Sequence, residues 1–395
     1  MKILFVVPQI PFPIDTGAKI RTYNHIKNLS ALHSVSVIGF AGHRATLEGF
    51  EKLLGKVKII GVKRKNSWMD RLESLIMSFF SKKPYVVLKY DCAKMREVLK
   101  SKVRDGEYDI VHFDHIHMAQ YVDLVPDIPA CLDEHNVEYI IAERLCEKLP
   151  FGLKKFFVKW QASKMKAYEK ERIDKFRAVF TVSLTDANLL EKLSHKGAVH
   201  VASNGVNCRD FAYQMNTRKP QQLVFIGSLD WWPNIDAMKW FFTDIWGSLS
   251  QALPRLTCSI VGRKIHSSLK TYFADEKISV YQNVEDIRPY FLDADILIVP
   301  IRIGGGTRIK ILESMALGRP VVSTTIGAEG IEAEDKKEIM LADTPKAFIE
   351  KISLLTQSKD DYLRIAESAR KLVEEKYDWA QIAREMARVY QEAAG

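Results

Sequence analysis

Gly304-Gly305-Gly306-Thr307-Arg308-Ile309-Lys310-Ile311-Leu312-Glu313 is the stretch on which the reading of this chain turns. It follows Ala294-Asp295-Ile296-Leu297-Ile298-Val299-Pro300, an apolar run with the composition of a buried parallel strand. It opens an amphipathic helix that continues through Ser314-Met315-Ala316-Leu317 and is closed by Gly318, with Pro320 just beyond. Three glycines therefore stand between the carboxyl end of a strand and the start of a helix, where free backbone N–H groups can hold an anion. Arg308 and Lys310 are expected in the first helical turn, where a cation beside the positive end of the dipole costs roughly 0.3–1 kcal/mol. A bound phosphate or diphosphate would reverse that sign. The plainer alternative is a tight turn with both cations in solvent. The position favours the anion, because open α/β sheets bind ligands outside the carboxyl ends of their strands.

Working outward, 395 residues are enough for two domains at ~150 residues each. The 47% hydrophobic and 27% charged content is that of an ordinary soluble globular protein able to bury sizeable cores. No apolar run approaches the ~18 residues a membrane-spanning helix needs. The opening Met1-Lys2-Ile3-Leu4-Phe5-Val6-Val7 is too short for a secretory leader and runs into Pro8, Pro11 and Pro13. It reads as a first strand of a cytoplasmic protein. Five scattered cysteines (Cys92, Cys131, Cys146, Cys208, Cys258) form no CxxC pair, so reduced thiols and no zinc are expected.

Charge is unevenly spread. Residues 1–210 hold 34 Lys and Arg against 24 Asp and Glu, a net +10, which leaves −1 for the rest of a chain at +9. Residues 51–100 alone reach +8, with 13 cations against 5 anions. Such asymmetry points to an anionic partner of the first half, a membrane surface or a nucleic acid, against a plain solvated basic face.

The pattern of the chain is an α/β alternation run twice. Strands are expected at 2–7, 35–40, 57–60, 109–113, 129–133 and 178–182, with helices at 18–32 and 151–175. The pattern restarts with strands at 223–227, 256–262, 294–299 and 321–323 and helices at 234–249 and 286–292. Residues 208–222 are polar, aperiodic and carry Pro220, so the linker is placed there. The expected architecture is two Rossmann-like domains facing each other across a cleft: 1–207, 208–375, and a terminal helix at 376–395 whose Ile382, Met386 and Val389 share a packing face.

Here the chain resembles the retaining glycosyltransferases of family four, which have the GT-B fold. The resemblance runs through Pro13-Ile14-Asp15-Thr16-Gly17-Ala18-Lys19-Ile20-Arg21, Asp109-Ile110-Val111-His112, His135-Asn136-Val137-Glu138, Val182-Ser183 and Asn204-Gly205-Val206. It continues in Phe225-Ile226-Gly227-Ser228, Pro233-Asn234, Ile260-Val261-Gly262-Arg263, Asp286-Ile287-Arg288-Pro289-Tyr290 and the run from Leu312 to Val322. So many motifs in the family's order are specific, and the likeness is closest to its polysaccharide-assembly branch. The resemblance implies metal-independent transfer of a hexose-type sugar from a UDP- or GDP-sugar to a glycan or lipid-linked acceptor, with retention of configuration. The donor is then substrate rather than cofactor, and no cofactor is implied. The N-terminal domain would take the acceptor and the C-terminal one the nucleotide, and the terminal helix would cross back to the N-terminal domain. A positioned acceptor hydroxyl and a stabilised diphosphate are what the chemistry requires.

By the same resemblance, His135 and Glu313 are implied as catalytic. Gly17, Gly227, Ser228, Arg263, Val284, Gly305, Gly306, Thr307, Arg308, Lys310 and Glu313 are implied around the donor. Two departures matter. The family places two glutamates in this loop with seven residues between them; Glu313 matches the second, but the first falls on Gly305. The family also clamps the diphosphate with an Arg and a Lys that here are Ser228 and Asn234. Arg308 and Lys310 are therefore expected to take over the charge work.

Several residues keep plainer readings. His135, just past a strand, either approaches the reacting centre or satisfies a strand-end carbonyl. His112, His115 and His117 have metal-like spacing that strand alternation explains as well; no metal is expected there. Gly17 either lets a ligand approach or serves a turn. Trp231-Trp232 either stack on a ligand or close an interface, and Glu313 either meets the ligand or pairs with Lys310 on the same helical face. Residues 68–83 and 151–166 mix cations with Leu75, Ile76, Met77, Phe79, Phe80, Phe156, Phe157 and Trp160. They are expected to lie against an anionic membrane bearing a lipid-linked acceptor, making the protein peripheral on the inner face of the plasma membrane; the alternative is two ordinary amphipathic core helices. Competing functions are a non-catalytic nucleotide-sugar binder, a nucleotide-sugar epimerase or a phosphorylase of related fold. A nucleic-acid partner is not expected, since no binding signature accompanies the charge.

Overall fold

The computed structural model describes residues 1–64, 67–193, 198–216, 220–303 and 306–395, with Lys148 described in its backbone only. Two compact units emerge: Met1–Ser203 together with Ile382–Gly395, and Asn204–Gln381.

The first unit is built on β1 (Lys2–Val7), β2 (Ser34–Phe40), β3 (Lys58–Val62), β4 (Ile110–Asp114), β5 (Ala130–Glu134), β6 (Ala178–Thr181) and β7 (Ala198–Val201). They form one parallel sheet in the order β3-β2-β1-β4-β5-β6-β7. The strand order reverses at β1 and β4. The apolar runs exist because these central strands are covered on both faces: Ile3 through Val7 are fully buried.

The second unit repeats the plan with β8 (Gln222–Ile226), β9 (Thr257–Gly262), β10 (Ile278–Gln282), β11 (Ile296–Val299), β12 (Val321–Ser323) and β13 (Met340–Leu341). These are again all parallel, in the order β10-β9-β8-β11-β12-β13, with the reversal at β8 and β11. Alternation feeds two cores. Leu223 and Phe225 of β8 enter the cluster with Ile260 and Ile298, while Val224 and Ile226 enter the opposite one with Leu297 and Ile311. Both sheets are the doubly wound, Rossmann-like α/β arrangement expected from the sequence.

Three strands went unexpected, and each lies at a sheet edge. β7 and β10 keep most residues partly exposed, so they lack the continuous apolar run of a central strand, and β13 is only two residues long. The helix expected at 234–249 runs from Trp232 to Ala252, with a π-helical segment, Phe241–Trp246, in its middle. The helix after the glycine run is Ile309–Ala316, so Arg308 is its N-cap, in extended backbone, and not a first-turn residue as expected. Its end follows the sequence: Gly318 takes φ +75°, its N–H reaches Met315 O, and the next N–H, of Arg319, reaches Ser314 O. That pairing is a Schellman cap, which glycine adopts without Cβ strain.

The terminal helix, Trp379–Ala394, starts within the second unit and from Ile382 onward belongs to the first. Its Ile382, Met386, Val389 and Tyr390 are buried. Tyr390 meets Phe180 edge-on and its hydroxyl lies 2.7 Å from Nδ1 of His112. Among the described residues no helix is long and apolar enough to cross a membrane.

Candidate functional site

In each unit most of the sequence-derived residues lie at or near the point where the strand order reverses, the position at which doubly wound sheets bind ligands; Arg263 and Val284 follow β9 and the edge strand β10 instead. In the second unit this is the carboxyl edge of β8 and β11. Gly304 and Gly305 lie outside the described residues. Gly306 has φ +82°, and its carbonyl accepts from the Arg308 guanidinium, which is buried at the head of the Ile309–Ala316 helix. Lys310 reaches back over the end of β8, its ammonium 4.4 Å from the ring centroid of Phe225. That ammonium is closed off from solvent and has no hydrogen-bond partner among the described residues; Oγ1 of Thr307 and Oδ1 of Asn234 are in the same condition. Unpaired buried polar atoms are uncommon and each demands a reason. Three of them at one strand edge, one cationic, make a cradle for an anion.

Gly227 makes room for it. A Cβ there would stand 2.8 Å from Asn234 Nδ2 and 3.0 Å from Lys310 Nζ, so the two side chains occupy the space a larger residue would fill. Where the family pattern has its two cations, Ser228 donates to Asp230 (2.6 Å) and Asn234 donates to the Ser228 carbonyl (2.8 Å). Neither brings charge. Burial, reinforced by Arg308, lowers Lys310 to about 7, with Glu313 opposing; burial raises Glu313 to about 7, with Lys310 opposing. Both therefore titrate near neutrality, and a bound phosphate would fix Lys310 as its cation. Arg263 follows β9, its carbonyl accepting from Leu229 and its side chain exposed. Val284 follows β10 and packs on the core cluster around Val224. Trp231 and Trp232 are both exposed.

In the first unit the site lies at the carboxyl edge of β1, β4 and β5. Gly17 begins the helix Gly17–Ser30, capped by Thr16. A Cβ on it would meet nothing within 4 Å, so packing gives no reason for glycine and the approach is open. The same helix buries Arg21, Thr22 and His25 where an ordinary core face would be apolar. Arg21 gives two hydrogen bonds to Asp133, at 2.6 and 3.0 Å, and His25 Nδ1 lies 3.3 Å from that carboxylate. Asp114, the last residue of β4, accepts from Thr22 (3.0 Å) and faces Nε2 of His135 at 2.9 Å and Nδ1 of His115 at 3.2 Å. His115 has φ +70°, a strained value for a residue with a Cβ, and its ring centroid lies 3.5 Å from that of His135.

The charges settle who carries the proton. Burial opposes a charge on His135, but Asp114 and Asp133 outweigh it and push the ring up to about 9. Both carboxyls are held well below their usual range against burial, Asp114 by His135 and His115 and Asp133 by Arg21 and His135. Burial brings His112 down to about 4 and His117 to about 3, and lowers His25 and His115 too. His135 is thus the one imidazolium in a cluster of neutral rings, able to donate to a hydroxyl or to developing negative charge. Ligand atoms of Asp114, His115 and His135, and of His112, Asp114 and Asp133, do lie within 4.8 Å of one another. An ion there would have to displace the contacts among these groups and with Arg21.

Sequence reasoning found His135 but missed Arg21, His25, Asp114 and Asp133. The available signal was a charge at or near the end of an otherwise apolar strand, as in Ile110-Val111-His112-Phe113-Asp114, and polar residues at i and i+4 on one helix.

Comparison with known proteins bears on the fold and the family. A family profile described as "Glycosyltransferase Family 4" matches residues 16–210, and one described as "Glycosyl transferases group 1" matches residues 220–358. An uncharacterized 44.6 kDa protein in the cps region of Klebsiella pneumoniae is 20% identical, covering 95% of this chain and 96% of that one. The sucrose-phosphate synthase structure from Thermosynechococcus elongatus superposes with a TM-score of 0.69 at 13% identity, covering 99% of both chains. The Anabaena Alr3699/HepE structure in complex with UDP-glucose gives 0.64 at 12%, covering 99% of this chain and all of that one.

Proposed function

From a chain that is a glycosyltransferase of the family-four and group-one type, we propose a retaining transfer of a sugar from a nucleoside-diphosphate sugar to a glycan or lipid-linked acceptor in cell-surface polysaccharide assembly. The observation that carries this is the occluded, unpartnered ammonium of Lys310 at the edge of β8. In this reading the donor diphosphate lies against Lys310, Arg308 and the head of the Ile309–Ala316 helix, and Glu313 takes the ribose. The bond from the anomeric carbon to the diphosphate breaks, a bond from that carbon to the acceptor oxygen forms, and the hydroxyl proton leaves with the diphosphate. Cations and helix N–H groups stabilise the departing charge without a metal ion, and His135 donates to the sugar. The UDP-glucose bound by the Anabaena protein supports UDP over GDP, and the cps-region relative supports a polysaccharide product.

The partner at the first unit is an anionic membrane on the cytoplasmic side. Phe80, Phe151 and Leu153, at 85%, 87% and 90% exposed, support this reading, while Ala162 and Met165 of the second segment pack into the core.

Incubation with a panel of UDP- and GDP-sugars, with and without acceptors and with chelator, tests the reading. Expected is nucleotide release that needs an acceptor and survives chelation. Binding without turnover would instead favour a nucleotide-sugar binder.

A further inference from the structure

Beyond the donor cradle, the first unit holds a second group of cations that nothing in the reaction described so far uses. Lys63 and Arg64 follow β3 directly, and Arg64 lies at the same carboxyl edge as the His135 cluster. Its guanidinium carbon lies 5.1 Å from the ring centroid of Phe40 and 4.7 Å from that of Tyr90, and Nη1 donates to the Lys89 carbonyl at 3.1 Å. Lys89 is half-buried; burial and then the nearby charges of Arg64 and Arg71 lower it, with no carboxylate acting to restore it. Among the described residues none of Arg64, Lys89 and Arg71 is paired with an acid. Nδ1 of His117 faces the same ground, buried and without a partner, its ring 5.1 Å from Tyr90 and 6.0 Å from His115. Rings thus run continuously from His135 through His115, His117 and Tyr90 to Arg64.

A plain solvated basic face does not account for this. Here Arg64 lies over the rings of Phe40 and Tyr90 and Lys89 over that of Tyr85. The third, Arg71, stands on the helix Trp68–Phe80, which turns its apolar side to solvent: Met69, Leu72, Ile76 and Phe80 are all exposed. Phe79 of that helix stacks on Trp160 at 5.1 Å and joins the exposed aromatic surface of the helix Leu153–Ile173. Cations without acids beside an outward apolar face fit one kind of molecule, a phosphate group on a lipid.

We propose that Arg64, Lys89 and Arg71, with His117, bind the phosphate or diphosphate headgroup of a lipid acceptor whose chain lies along the outer face of the Trp68–Phe80 helix. The site rests on the glycosyltransferase reading for its purpose, but not for its existence. Arg64 and Lys89 hold the phosphate oxygens by charge-assisted hydrogen bonds, and the aromatic ring line leads from the headgroup toward His135.

Geranyl diphosphate, geraniol and inorganic pyrophosphate, titrated by calorimetry with saturating UDP present to fill the donor cradle, test it. Geranyl diphosphate is expected to bind more tightly than either partial probe. R64Q and K89Q should each weaken it about tenfold, while leaving geraniol and UDP affinities unchanged. R71Q, at an exposed position outside the packed rings, should weaken it less and serves if the other variants fold poorly. Equal affinities for geraniol and geranyl diphosphate, or diphosphate binding indifferent to all three substitutions, would overturn the site. Failure of UDP to bind at all would count against the donor reading and leave this result standing.

Discussion

The ammonium of Lys310 lies 3.0 Å from where a Cβ on Gly227 would stand, so a glycine after β8 sets how far the lysine can reach. Neither Ser228 nor Asn234, after that strand, brings a cation, and Lys310 is the buried cation nearest to them in this unit's proposed donor site. Gly227→Ala is therefore expected to weaken UDP binding about tenfold while leaving the melting temperature within a few degrees, because the atoms it meets are ends of flexible side chains. Calorimetry and a thermal melt check both parts. Affinity equal to the parent would remove Lys310 from the phosphate.

Lys310 also makes binding depend on pH. Burial holds it at about 7 in the free protein, and an adjacent phosphate raises that value. Binding above neutrality thus takes up a proton, and affinity falls as pH rises from 7 towards 9. Lys310→Met should lower affinity at least tenfold and flatten that dependence. Titrations in two buffers of different ionisation enthalpy measure the proton directly.

In the first unit, Asp114 keeps His135 charged. With His135 raised to about 9, its contribution to stability is fully present below pH 6.5 and is lost as pH rises through 9. Asp114→Asn should bring the ring back towards or below its ordinary value, so that it is neutral at pH 7.5. A carbon-detected NMR titration of His135 would show it; an unchanged midpoint would point to Asp133 alone as the holder.

Asp133 is buried and takes both hydrogen bonds from Arg21. Removing one partner leaves an uncompensated buried charge, so Asp133→Ala should destabilise the protein by about 3–5 kcal/mol. Urea denaturation reads the loss. A variant as stable as the parent would mean that water reaches Arg21.

Glu169 gives a further pH dependence of the same sign, set at lower pH. Its carboxylate accepts from the N–H groups of Glu138 (2.8 Å) and Tyr139 (3.2 Å) at the start of the helix Glu138–Lys148, yet burial raises it to about 8. The folded state therefore holds a proton that the unfolded chain releases, and stability declines from about pH 5 to pH 8. Glu169→Gln, which keeps an acceptor but cannot ionise, should flatten that decline in melting curves taken across the range.

The central strands were legible in the sequence because burial on both faces writes a continuous apolar run. β7 and β10 were not, because edge strands are half exposed and lose that run. Lys310 drew notice for its awkward place near a positive helix end, and its ammonium is buried there, although Arg308 caps the helix rather than entering it. Arg21, Asp114 and Asp133 escaped notice for a different reason. Each belongs to an otherwise ordinary element, and only the fold brings the end of β4, the end of β5 and one helix face into hydrogen-bonding distance. Local sequence carries periodicity; it does not carry a meeting of three distant segments.

Tyr390, packed on Phe180 and beside His112, has a consequence for how the protein is made. The sheet behind the His135 cluster is translated first, but the helix that closes it emerges only after the whole intervening unit, Asn204–Gln381, has left the ribosome. Vectorial folding, which ordinarily finishes the amino-terminal domain early, is denied to this one. During synthesis the nascent amino-terminal half waits with an open apolar face, and a ribosome stalled before residue 382 should carry a chain that engages chaperones and is digested readily by protease.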